Sequence, residues 1–78
     1  MNKLEFQDSH AISIAGVSYI NVIFSYGQKA IVISIPANMW QDTFVSFDGV
    51  PVDLNGVYDP IINKAIRVTC KMFPNWRV

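Results

Sequence analysis

The sequence predicts an all-β domain, or a β domain with one short helix. The expected architecture is an antiparallel four-stranded meander, followed by short hairpins, that closes as a small barrel or a two-layer sandwich. Three observations predict it. Apolar and polar residues alternate with a period of two through most of residues 3–36, as in strands that bury one face. Glycines stand where tight hairpin turns require them. The chain has 78 residues, the size of one domain, which we expect to span 1–78.

The first two strands are predicted at residues 3–7 and 10–15, because both segments alternate. A three-residue loop between them would set Phe6 opposite Ile12, whereas a two-residue turn would shift the pairing by one position. We favour the longer loop, which is a common hairpin class. A similar loop at residues 16–18 would lead into the third strand.

The central hairpin is predicted from Ser18 to Pro36. Its turn falls at Gly27 and Gln28, so that glycine takes the first central position of a type II′ turn, where φ is positive. Counting outward from this turn pairs Phe24 with Ile31 and makes one face wholly apolar. The other face is neither charged nor fully apolar. We therefore expect a second layer, from this chain or from a partner, to cover it.

Short strands and tight corners are predicted for the middle of the chain. Residues 37–42 can form one helical turn that carries Trp40. Asp48 and Gly49 are typical of a type I′ hairpin turn, which has positive φ at both positions. Pro51 follows in the return strand and has no N–H to donate, so its position is predicted to be an edge or a bulge.

Two structures compete for residues 60–72. Asp59 and Pro60 suit the N-cap and first residue of a helix. Residues 65–73, however, alternate in a β-branched run that is typical of a half-exposed strand. We favour the strand and retain the helix as the alternative.

The composition favours a binding function. Charged residues make up 15% of the chain, against roughly 25% in an average globular domain. We infer that some apolar surface meets another copy or a different molecule. The net charge is zero, but all four charged residues after Asp59 are basic. This basic segment suggests an anionic partner as one alternative.

No residue pattern in the sequence indicates catalysis, a metal or a cofactor. His10 is the only histidine and Cys70 the only cysteine, and we expect Cys70 on the apolar side of a strand, where thiols are usually inert. Two such ligands are too few for a structural zinc site. The lone cysteine and the lack of a long apolar run predict a cytoplasmic protein that does not enter a membrane. We expect no enzymatic activity.

The leading hypothesis is a non-catalytic protein-binding module that acts sterically as an inhibitor, adaptor or assembly subunit, with a homodimer among the options. Chains of this size and composition are common among phage and mobile-element proteins, which is an association only. The alternative is a small β-barrel that binds single-stranded nucleic acid through a basic, aromatic C-terminal strand. The candidate partner-binding residues are aromatic or cationic side chains, with Phe73 and both cations of the last strand on one exposed side: Trp40, Tyr58, Arg67, Lys71, Phe73, Trp76 and Arg77.

Overall fold

Five antiparallel strands form one sheet in the order of the sequence, and one helix packs on it. A computed structural model describes residues 3–37, 43–53 and 59–74. The elements in chain order are β1 (Leu4–Ile14), β2 (Val17–Tyr26), β3 (Lys29–Pro36), β4 (Phe44–Phe47), β5 (Val50–Pro51) and α1 (Pro60–Met72). Each strand pairs with its sequence neighbours. The predicted class, β with one short helix, is confirmed.

The sheet is open, so of the two predicted arrangements, a small barrel or a two-layer sandwich, the barrel is not formed. β1 and β5 are its two edges. β5 has two residues and β1 has eleven, so the two edges have too little length in common to pair. The second layer of the domain is α1 instead, which covers one face of the sheet.

The hairpin of β2 and β3 has the predicted register. Tyr26 lies opposite Lys29 and Phe24 lies opposite Ile31. Gly27 has a φ of 64°, which is the left-handed backbone that the first central position of the turn requires. Turn chemistry and hydrophobic pattern thus specify the same pairing, as predicted.

β1 is one continuous strand, so the two short strands predicted at 3–7 and 10–15 are wrong. Phe6 lies opposite Phe24, not Ile12, and the two phenylalanine rings meet edge to face with centroids 6.0 Å apart. The register shifts between Phe6 and Asp8. This bulge reverses the alternation, so Phe6 and Ile12 point to opposite faces. A single strand is the more stable arrangement because it can pair along all of β2, whereas a separate N-terminal hairpin could not.

The turn of β4 and β5 is the predicted type. Asp48 and Gly49 have φ values of 53° and 82°, so both positions are left-handed, as a type I′ turn requires. Phe47 lies opposite Val50 across the turn. Pro51 lies in β5 at the edge of the sheet, where its missing N–H removes no ladder bond.

Residues 60–72 form a helix, so the strand that we favoured for 65–73 is wrong. The Asp59 side chain accepts a hydrogen bond of 2.9 Å from the backbone N–H of Ile61, and Pro60 begins the helix. The residues that α1 buries recur at helical spacing: Ile62, Ala65, Ile66 and Thr69. These residues form a helix despite their β-branched run, because the helix covers the apolar face of the sheet. The tertiary packing outweighs the strand propensity.

The core lies between α1 and the face of the sheet that we call the inner face. Its buried members are Val22, Phe24, Ile31, Ile33, Ile35 and Val45 from the sheet, with Ile62, Ala65 and Ile66 from the helix. The opposite side of the sheet is called the outer face. Because side chains alternate along a strand, this core assigns every strand residue to one face or the other.

Candidate functional site

The structure separates the residues that were predicted to share one exposed strand. Arg67 and Lys71 are exposed on α1, four residues and thus about one turn apart. Phe73 follows the helix and packs against the core. Because residues 60–72 are helical, these three residues do not line up along one side of a strand as predicted, and Phe73 is partly buried. The other four candidates, Trp40, Tyr58, Trp76 and Arg77, lie outside the described residues.

The solvent side of α1 is basic. Lys64, Arg67 and Lys71 are all exposed, and their spacing of three and four residues places them along one side of the helix. We call these three residues the basic stripe. No acidic residue occurs within Pro60–Met72, and the Asp59 carboxylate stands at the opposite end of the helix from Lys71. The helix therefore presents an uncompensated row of positive charge along its own length.

The outer face of the sheet carries no charged residue on its three central strands. Its residues there are Val17, Tyr19, Asn21, Ile23, Ser25, Ala30, Val32, Ser34, Pro36, Phe44 and Ser46. No described helix or strand packs on them, since α1 covers the inner face. The predicted character of this face, neither charged nor fully apolar, is confirmed. We expected a second layer over the outer face. Among the described residues, the second layer is α1, and it covers the inner face instead.

Polar side chains in the middle of the outer face bond to one another. The Ser34 hydroxyl donates to Asn21 Oδ1 at 2.7 Å, and the Gln7 amide donates to the Ser25 hydroxyl at 2.7 Å. Burying a polar group is costly mainly when its hydrogen bonds are lost. These internal bonds lower the cost of covering the outer face with a partner.

Apolar side chains form a continuous band across one end of the outer face. Ile14 and Val17 are opposite each other and are 57% and 42% exposed. The next row pairs Ile12 with Tyr19, which in turn lies opposite the buried Pro36 on β3. Phe44 on β4, 61% exposed, lies one diagonal step from Pro36. We call the four exposed or half-exposed side chains of β1 and β2, together with Phe44, the apolar band.

Charged side chains on the outer face are confined to β1. Asp8 Oδ2 and His10 Nδ1 lie 3.2 Å apart, and both side chains are largely exposed. Cys70 packs against the core from α1, on the other side of the sheet. The sheet therefore separates the only histidine from the only cysteine, and the two cannot act as a nucleophile and its base.

Nowhere in the described segments do three or more His, Cys, Asp or Glu side chains gather closely enough to hold a metal ion. Residues 3–37, 43–53 and 59–74 contain no helix with the length and hydropathy that membrane crossing needs.

The apolar band was missed in the sequence because two residue patterns were treated as one. Leu4 and Phe6 belong to the inner face, whereas Ile12 and Ile14 belong to the outer face. In the sequence the two pairs are in phase, since all four positions are even-numbered, so the alternation gives no sign of the bulge near Gln7 that sends them to opposite faces. We predicted a loop at residues 8–10, which would have kept both pairs on one face. Comparison of the chain with protein-family models, with curated proteins and with solved structures finds no match.

Proposed function

We propose that this protein is a non-catalytic binding module that acts sterically, as an inhibitor, adaptor or assembly subunit, and that the outer face contacts the partner protein. One observation carries the proposal. The outer face has no charged residue on β2, β3 or β4, and it exposes the apolar band, yet no described element covers it. Exposed apolar surface of this kind marks interaction sites in soluble proteins.

The size of the outer face favours a transient contact. Four strands at about 4.8 Å spacing and about eight residues of strand give an area of roughly 500 Å² in projection. A standard interface buries about 800 Å² per partner, so a partner seated on this area alone falls at the small end. The internally paired polar groups, and the absence of charge on β2, β3 and β4, keep the desolvation penalty of binding small and so offset the small area.

The basic stripe cannot share a flat contact with the outer face, because α1 lies on the inner side of the sheet. In this proposal Arg67 and Lys71 attract an acidic partner protein over a distance, and this attraction raises the rate at which the two proteins associate. Trp40, Tyr58, Trp76 and Arg77 remain predicted contact residues. A cytoplasmic location and a phage or mobile-element origin belong to the same proposal, resting on the single cysteine and the small size.

Site-specific photo-cross-linking in lysate of the native host tests which surface is used. The photoreactive residue replaces Phe44 or Ser46 on the outer face and, as a matched control, Asn63 or Arg67 on the exposed side of α1. We expect one protein adduct, identified by mass spectrometry, from the outer-face positions and none from the helix positions. Adducts formed from α1 alone would contradict the assignment of the outer face.

Nucleic-acid binding is the second candidate, and the basic stripe is the observation that favours it. Phe73 is partly buried and packs against the core, which reduces the aromatic surface that it offers for stacking with bases. If three phosphates were contacted, affinity for a single-stranded oligonucleotide would fall roughly twenty-fold over a four-fold rise in salt.

Fluorescence anisotropy with a labelled oligonucleotide measures this salt dependence. Arg67→Glu with Lys71→Glu should abolish binding, whereas Lys3→Glu, an exposed charge reversal at the start of the described chain, should leave it nearly unchanged. Binding that is weak, insensitive to salt and unaffected by either change would rule out the basic stripe as a nucleic-acid site.

A further inference from the structure

The two edges of the sheet differ in their capacity to accept another strand. β5 ends one edge with two residues, and one of them is Pro51, which has no N–H. β1 ends the other edge with eleven residues, about twice the length of an average strand. No described segment pairs with the outer side of β1. A long open edge offers a row of unpaired backbone groups to an added strand.

The turn geometry identifies which backbone groups are free. Ile14 and Val17 flank a two-residue turn, so they exchange both ladder hydrogen bonds with each other. Along an antiparallel pair such residues alternate with others whose N–H and C=O point away from the neighbouring strand. On β1 the residues that point away from β2 are therefore Ser9, Ala11 and Ser13.

Protection of this edge is confined to its first half. Lys3, Glu5 and Asp8 place charge there, and the bulge near Gln7 interrupts the regular strand. Both features discourage edge-to-edge pairing. Residues 9–14 contain no Asp, Glu, Lys or Arg, and the three outward residues have small side chains. The second half of β1 thus remains open to a close backbone approach.

We propose that two copies of this chain pair antiparallel through residues 9–13 of β1, with a two-fold axis at Ala11. In this register Ala11 lies opposite Ala11 of the second copy, and Ser9 lies opposite its Ser13. Every outward residue then meets another outward residue, which gives about six hydrogen bonds. A shift of two residues leaves about four, and a shift of one residue opposes groups that point away from each other. The edge is therefore self-complementary in one register.

The same symmetry keeps like charges apart and leaves the proposed contact surface open. The two Asp8 carboxylates lie six residues apart in register, or about 20 Å at the rise of a strand. A two-fold axis perpendicular to the sheet places both outer faces on one side. Both apolar bands then lie on the same side of a ten-stranded sheet, at opposite ends of the new ladder, with Ile12 opposite His10 and Ile14 opposite Asp8 of the second copy. This pairing goes beyond the proposed function, because it uses the edge and not the outer face.

Charge substitutions at the axis test the pairing and its register. Ala11 is exposed, so Ala11→Lys and Ala11→Glu should fold as the wild type does. Each substitution sets two like charges opposite each other and should raise the dimer dissociation constant about ten-fold or more. An equimolar mixture of the two variants should restore the dimer as a heterodimer. Ser18→Lys, exposed on the same face but one strand from the edge, is the control and should not change the constant.

Sedimentation equilibrium over a range of concentrations measures the constant, and circular dichroism checks that each variant is folded. The proposal predicts a wild-type mass of twice the chain mass. It is overturned if the wild type stays monomeric, if Ala11→Lys and Ser18→Lys weaken the dimer equally, or if the mixture fails to restore it. Cross-linking of a different protein at Phe44 is read separately, so failure of the edge pairing can be told apart from failure of the outer-face contact.

Discussion

Residues with left-handed backbone mark the three two-residue hairpin turns that the structure describes. Among residues 3–37, 43–53 and 59–74, five have positive φ, and three of these are glycines. Asp48 tolerates the conformation because its short polar side chain can bond locally. Ala15, with a φ of 52°, has no such compensation. The turn between β1 and β2 is thus the one where residue type and conformation disagree.

Replacing Ala15 should therefore stabilise the protein. Ala15→Asn converts the turn to Asn-Gly, the preferred type I′ pair, and we expect the free energy of unfolding to rise by about 1 kcal/mol. Urea denaturation followed by circular dichroism measures the change. Ala15→Val is the matched control, because a β-branched residue suits this conformation less well than alanine, and it should lower stability. A loss of stability in both variants would contradict the left-handed assignment.

The burial of Thr69 shows how a polar residue enters the core. Its side chain is 0% exposed, and its hydroxyl donates at 2.9 Å to the backbone carbonyl of Ala65, one turn earlier. A threonine that satisfies its own hydroxyl within the helix can pack against a sheet at little cost. The strand prediction placed the same residue in solvent between Arg67 and Lys71.

For residues 60–72 the sequence allowed either a strand or the helix that the structure shows. Residues 60–72 carry both a β-branched alternation and a helical stripe, and the two patterns overlap because several positions satisfy both. Asp59 and Pro60 were the informative signal, since an N-cap followed by proline is specific to a helix start. A local signal of two residues thus predicted the element better than the longer periodic run.

The N-cap contribution can be measured with one pair of variants. Asp59→Ala removes the oxygen that accepts from Ile61, and we expect the free energy of unfolding to fall by about 1 kcal/mol. Asp59→Asn keeps an oxygen at that position and should cost less than about 0.5 kcal/mol. Chemical denaturation of both variants gives the comparison. Equal losses would mean that the carboxylate charge, and not the capping bond, stabilises α1.

At the scale of the whole molecule, α1 buries one face of the sheet, whereas no described helix or strand covers the other face. Ile33 on the inner face is 0% exposed, whereas Ile23 on the outer face is only partly buried by its neighbours in the sheet. The same residue type therefore has different surroundings on the two faces. The binding proposal depends on this asymmetry.

Two identical substitutions test the asymmetry. Ile33→Val deletes a methylene group from the packed core and should cost about 1 kcal/mol. Ile23→Val deletes the same group from the open face and should cost less than about 0.5 kcal/mol. The midpoint of urea unfolding at constant slope measures both. Equal costs would show that a further layer covers the outer face in solution.

Features that depend on neighbours along the chain were predictable from the order of the amino acids. These are the turns at Gly27 and Asp48, the register of β2 and β3, the edge position of Pro51 and the uncharged character of the outer face. Each follows from local dihedral preferences or from counting outward from a turn, so no distant contact is needed.

Three features depend on contacts between distant segments: β1 is one strand, residues 60–72 form a helix and the sheet stays open. β1 gains its hydrogen bonds from β2, and α1 gains its burial from an apolar face built by residues at least fifteen positions earlier. The candidate site changed for the same reason, since Arg67 and Phe73 share a surface in a strand but not in this helix. Packing between distant segments outweighs local pattern wherever two patterns fit the same residues.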